Sequence, residues 1–114
     1  LRYRVYTGLR NNVLWNSRGK WYHGSAYEFS VLRAGSTITQ NEGLALAFSH
    51  KPTLLSIDDY GWITHNGTEP GHLYEIDEPI VPGEDIYLHP RTTMSPGLEW
   101  LTVRELRVKR CDKV

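Results

Sequence analysis

The chain has 114 residues and sets thirteen Lys and Arg against thirteen Asp and Glu, with 39% hydrophobic and 23% charged residues. That composition belongs to one small globular domain spanning residues 1–114, and it excludes a disordered chain, a collagen repeat and a coiled coil. No apolar run approaches the ~18 residues of a membrane helix, no secretory leader pattern opens the chain, and a single Cys111 excludes an internal disulfide framework or a Cys-based zinc cage.

In chain order, residues 2–6 alternate Arg, Tyr, Arg, Val and Tyr, which predicts a strand closed by Thr7 and Gly8. Residues 11–20 are polar turn sequence. Residues 20–25 predict a second strand, interrupted at Gly24, and residues 26–35 a connection that ends in a turn at Arg33, Ala34 and Gly35. A helix is expected within Thr39 to His50: Thr39 stands as N-cap with Glu42 three residues on, the capping-box spacing, and Leu44, Ala47 and Phe48 share a face. Pro52 stops it. Residues 54–57 and 62–64 are strand-like around a turn at Asp58, Asp59 and Gly61, and residues 72–76 alternate cleanly up to Pro79. Residues 79–97 contain Pro79, Pro82, Gly83, Pro90, Pro96 and Gly97, which predicts a long functional or mobile loop. Residues 99–109 alternate again and predict one closing strand. Trp15, Trp21, Trp62 and Trp100 are expected to fill the core. Strands outnumber helices, so the fold class is α+β with mainly antiparallel pairing.

The neutral total hides an asymmetry. Residues 1–27 carry Arg2, Arg4, Arg10, Arg18 and Lys20 without an acid, and residues 104–114 carry five bases against Glu105 and Asp112. Side by side, the two ends make a basic surface suited to a pyrophosphate or a nucleic acid; scattered, they are ordinary solvated charges. The chain opens on Leu1 rather than Met, as a piece of a longer polypeptide does.

No phosphate-cradling Gly-rich loop, metalloprotease helix or calcium loop is present, and the five His lack metal-ligand spacing, so no metal is expected. No nucleophile elbow surrounds Ser25, Ser36 or Ser95. What remains is a His at a strand end in Tyr22-His23-Gly24-Ser25, a hydroxyl cluster in Ser36-Thr37-Ile38-Thr39 leading into the helix, and a carboxylate opening Glu99-Trp100-Leu101-Thr102. Each has a plainer reading as well: a turn histidine, strand and cap hydroxyls, and the exposed side of an alternating strand.

In this order, together with His72-Leu73-Tyr74-Glu75-Ile76-Asp77-Glu78-Pro79 and Glu105-Leu106-Arg107-Val108, these segments resemble the ADP-ribosyltransferase superfamily. The resemblance covers residues 21–109 and is closest to the His-Tyr-Glu group and its small rifamycin-type members. It implies two short, mainly antiparallel sheets that form an NAD cleft. It also implies that NAD is consumed as a substrate, by transfer of ADP-ribose to a drug, protein or nucleic acid acceptor or by hydrolysis, with release of nicotinamide.

By position, His23 would bond the adenosine ribose, Gly24 and Ser25 the nicotinamide amide and ribose, and Glu99 the nicotinamide ribose. Thr37 and Thr39 of the second segment are expected to line the cofactor, and because Thr37 or Ile38 stands where the family carries its usual Tyr, Phe48 or Tyr27 is the expected aromatic face. The rifamycin-type enzymes have their acid earlier, which makes Asp85 the alternative to Glu99 as catalytic carboxylate. An antibiotic-resistance enzyme or a toxin domain held by an antitoxin or immunity protein, monomeric, not membrane-bound, and cytoplasmic or secreted, fits this reading. An RNA 2′-phosphotransferase using NAD, and a non-catalytic module binding a nucleotide, nucleic acid or protein, are the rival functions.

Overall fold

A computed structural model describes residues 15–94 and 97–111. The strand expected at residues 2–6 lies outside them. Nine short strands and one helix follow one another as β1 (Tyr22–Ser25), β2 (Val31–Leu32), β3 (Thr37–Ile38), α1 (Glu42–Ser49), β4 (Leu55–Ile57), β5 (Ile63–His65), β6 (His72–Ile76), β7 (Ile86–Leu88), β8 (Trp100–Thr102) and β9 (Leu106–Cys111) among the described residues. They form a four-stranded sheet in the order β1-β6-β9-β2, a three-stranded sheet β3-β8-β7 and a two-stranded ribbon β4-β5. Every ladder between these strands is antiparallel. The fold is α+β.

The two larger sheets share a core in which Ile38, Ile86 and Leu106 are fully buried and Tyr74 nearly so. Trp21 and Trp100 meet edge to face there, with centroids 5.6 Å apart and planes at 82°, the arrangement the ring quadrupoles favour. Trp15 packs on the margin of this core. Trp62 does not join it and is 66% exposed, because it precedes β5 in the connection of the separate β4-β5 ribbon.

The helix starts two residues later than the capping-box spacing suggests. Thr39 exchanges both backbone hydrogen bonds with Tyr22, at 2.7 and 2.9 Å, and so is committed to sheet pairing. Asn41 is the N-cap instead, its Oδ1 accepting from the Leu44 N–H at 3.0 Å, while the Thr39 hydroxyl accepts from the Asn41 N–H. Glu42 thereby becomes the first helical residue and cannot close a capping box on Thr39.

Two further corrections concern the C-terminal half. The expected loop at residues 79–97 contains β7, whose Ile86 is wholly buried and whose partner is β8. Pro and Gly flank this strand and leave its three residues free to pair. The expected closing strand is two strands in different sheets, because the chain crosses between sheets at residues 103–105. Arg104 holds that corner through Glu78 at 2.8 Å and Asp85 at 2.9 Å.

Helix α1 packs on β1 and β6 with Leu44, Ala45 and Ala47 buried. Its closest approach is over Gly24, where an added Cβ would stand 1.7 Å from the Ala45 carbonyl oxygen and 2.9 Å from the Ser49 nitrogen. Both obstacles are backbone and cannot rotate away. Gly24→Ala is therefore expected to displace the helix, at the upper end of the ~1–3 kcal/mol range for overpacking or beyond it, and to lower the thermal unfolding midpoint by about 10 °C or more. A calorimetric scan of the variant beside Ser25→Ala, expected to melt close to the parent, checks this.

Candidate functional site

The site arises where the two large sheets part. Antiparallel pairing alternates the direction of the backbone groups, so a strand's N–H and C=O point to one side at one residue and to the other side at the next. Ile76 N donates to Trp21 O at 2.9 Å, and the register pairs Tyr22 with Glu75 and Gly24 with Leu73. Trp21, His23 and Ser25 thus direct their peptide groups toward β6, whereas Tyr22 and Gly24 direct theirs out of the free edge of β1. Tyr22 meets Thr39 there. Two residues on, the same alternation turns the Gly24 N–H and C=O away from β6, and Gly24 lines the cavity on that side.

On the opposite side of that opening the same alternation applies to β3. Thr102 N donates to Ser36 O, so the Thr37 peptide groups point away from β8 toward β1. The Thr37 carbonyl accepts from the His23 ring at 2.7 Å. A carbonyl can only accept, so the proton sits on His23 Nδ1, and Nε2 is left as an acceptor. Burial, only partly offset by this backbone bond, holds the His23 pKa below its ordinary value and so favours the neutral ring.

The resulting cavity has a volume of about 180 Å³. Strand β1 supplies Tyr22, His23 and Gly24, the bridge and β3 supply Thr39 and Thr37, helix α1 supplies Ala45 and Phe48, and Glu99 closes it beside β8. Pockets for drug-sized molecules run to roughly 300–1,000 Å³, so this one accommodates a single-ring group rather than a whole dinucleotide. Of the residues expected from the sequence, His23, Gly24, Thr37, Thr39, Phe48 and Glu99 come together here. Phe48, half-buried, contributes its ring to the wall rather than to the central core.

Ser25, Tyr27 and Asp85 stand outside this lining. Ser25 Oγ accepts from the Tyr27 N–H at 3.1 Å, which turns the chain after β1, and the exposed Tyr27 hydroxyl accepts from Lys51 Nζ at 2.9 Å. Asp85 is engaged on both oxygens, by the Val81 N–H at 2.8 Å and by Arg104 Nε at 2.9 Å. Those two contacts, the backbone one foremost, hold its pKa below the usual carboxylate value.

Glu99 is held differently. The Thr92 hydroxyl donates to its Oε1, the Met94 N–H donates to Thr92 Oγ1, and the Glu99 carbonyl accepts from the His89 N–H at 3.1 Å. A hydroxyl fixes the carboxylate's position without neutralising it. Among the described residues Glu99 has no ion-pair partner, in contrast to Asp85 and Glu78 on Arg104. Thr92, like Ala45, escapes sequence reasoning; Thr92 lies seven positions before the glutamate in a Pro-rich stretch with no periodicity to mark it.

The basic chain ends are largely matched by acids where they are described. Lys20 and Lys109 share Glu75, and Arg110 pairs with Glu28. No group of three or more metal-ligating side chains occurs among the described residues. No helix among them is long and apolar enough to cross a membrane. Comparison of the chain with protein-family models, with curated proteins and with solved structures gives no match.

The Arg104 corner titrates predictably. Glu78 is held below its ordinary pKa first by the Arg107 backbone N–H and then by Arg104, and Asp85 by Val81 and then Arg104. Carboxylates with depressed folded pKa values contribute stability above their unfolded pKa of ~4 and lose it as pH falls through the folded values. Arg104→Met is expected to lower the unfolding midpoint modestly at pH 7, with the gap to the parent closing toward pH 2–3. Urea midpoints across pH 2–7 for both proteins measure this.

Proposed function

We propose that the chain is an ADP-ribosyltransferase-type enzyme that cleaves the nicotinamide–ribose bond of NAD and passes ADP-ribose to an acceptor or to water. The observation that carries the reading is the outward-facing Gly24 peptide pair in a cavity of about 180 Å³ that Phe48, His23 and Glu99 also line. A carboxamide matches that pair, its N–H donating to the Gly24 carbonyl and its carbonyl accepting from the Gly24 N–H. The Phe48 ring offers the pyridinium an apolar face. His23 Nε2, an acceptor because Nδ1 is the donor to Thr37, takes a ribose hydroxyl.

Glu99 carries the chemistry in this reading. As the C1′–N bond breaks, its electron pair moves to the pyridinium nitrogen, which leaves as neutral nicotinamide, and positive charge develops on the ribose. A carboxylate held by a neutral hydroxyl and free of a cation stabilises that charge where a salt-bridged one cannot. The acceptor then adds to C1′ and loses a proton. Asp85, already paired with Arg104, acts in this scheme as a structural group.

Incubation with NAD and chromatographic detection of nicotinamide tests the reading, and NAD left intact with protein, nucleic acid and small-molecule acceptors all supplied would refute it. Glu99→Gln is expected to keep NAD affinity and lower turnover by about 10²–10³-fold, since one charge-stabilising group is lost where charge develops. Asp85→Asn is expected to turn over at near the parent rate; the reverse pattern would move the role to Asp85. Removing one neutral hydrogen bond with His23→Ala is expected to weaken NAD binding roughly three- to tenfold by calorimetry, with a smaller effect on folding.

A further inference from the structure

We propose that Lys51, docked on Tyr27 beside the cavity, is a phosphate-binding residue that takes the diphosphate of the bound dinucleotide. The inference rests on the NAD reading above. A cavity of about 180 Å³ encloses only the ring end of such a ligand, so the diphosphate must lie on the neighbouring surface. Lys51 is tied to that surface from two directions. Its N–H donates to the carbonyl of Phe48, a wall of the cavity, at 3.0 Å. Its Nζ donates to the hydroxyl of Tyr27 at 2.9 Å and lies 4.5 Å from the centre of that ring, and Tyr27 follows Gly24 by three residues, at most ~10 Å of chain.

Two properties separate Lys51 from an ordinary surface lysine. Its backbone is left-handed, with φ of 53°, at the position just past the helix C-cap His50 where glycine is favoured. A side chain is kept there against a steric cost that glycine would avoid, as happens where the head group has a task. Moreover, the ammonium is positioned without being neutralised: among the described residues no carboxylate lies within ion-pair distance, and Glu69 acts on it only from farther away. The hydroxyl and the ring face of Tyr27 restrain the charge and leave it open to an anion, whereas Lys20 and Lys109 both have Glu75.

The test compares dissociation constants for NAD, ADP-ribose, inorganic pyrophosphate and nicotinamide in the parent, Lys51→Met and Lys51→Gly, with a thermal midpoint for each protein. Loss of one charge-assisted contact is expected to weaken NAD and ADP-ribose about tenfold in both variants and to leave nicotinamide unchanged. The difference should shrink as salt is raised. Lys51→Gly is expected to melt no lower than the parent, because release of the left-handed strain offsets the lost Tyr27 contact. Equal NAD affinity in the parent and Lys51→Met, or an equal loss for nicotinamide, would overturn the proposal while leaving the NAD reading in place. Pyrophosphate and ADP-ribose binding that depends on Lys51 in a protein that ignores NAD would overturn the NAD reading and uphold the phosphate site. A parent that binds none of the four overturns both.

Discussion

Two hydrogen bonds between Tyr22 and Thr39 join the edge of one sheet to the edge of the other, and the arrangement of the site follows from them. They fix which peptide groups of β1 face outward. Because the direction alternates residue by residue, the parity that lets Tyr22 reach Thr39 also sends the Gly24 N–H and C=O out of the same edge, past the point where β3 has diverged. A slip of one residue would turn those groups into the β6 ladder and bring the side chain of His23 to the opposite face. The bridge also fixes the start of the helix. Thr39 is held in the sheet, so the cap passes to Asn41 and the helix begins at Glu42.

Gly24 answers to two demands at once. One face of its strand lies against the Ala45 carbonyl, leaving no space for a Cβ, and its edge faces the cavity. The close approach of α1 brings Ala45 and Phe48 into the wall, so the packing that requires glycine also shapes the opening. The ring of His23 fills the other side of the parting strands through Thr37. Its tautomer is a consequence of that contact, since a backbone carbonyl accepts only a protonated nitrogen.

Charge is distributed on this frame by the kind of partner each group receives. Glu78 and Asp85 share Arg104 at the corner where the chain passes from β8 to β9, and their charge is spent on holding that corner. Glu99 receives a threonine hydroxyl and Lys51 a tyrosine hydroxyl. Neutral partners of this sort restrict position while leaving the charge to act on something else. Glu99 lines the cavity, and Lys51 is bonded through its backbone to Phe48 in the cavity wall.

Composition, breakers and alternation sufficed for the α+β class, for the strands at Tyr22–Ser25, Leu55–Ile57 and His72–Ile76, and for a single helix stopped before Pro52. These are local properties, written in the period of apolar residues and in the places where Pro or Gly cannot continue an element. His23, Gly24, Thr37, Thr39, Phe48 and Glu99, which line one cavity, were named from the sequence only through the resemblance to a family and not through spacing. Other features depended on contacts far apart in sequence. Ile86 pairs with Thr102 and so makes a strand inside a Pro-rich stretch, and residues 99–109 divide because Thr102 and Leu106 are buried in different sheets. Asp85 and Glu99 look alike as isolated carboxylates; Arg104 and Thr92 distinguish them. Lys51 reads as one more exposed lysine until its left-handed backbone and its seat on Tyr27 are seen. Local pattern therefore determined which residues could form elements, and tertiary pairing decided which edges remained open and which charges remained uncompensated, because both depend on neighbours that spacing along the chain does not specify.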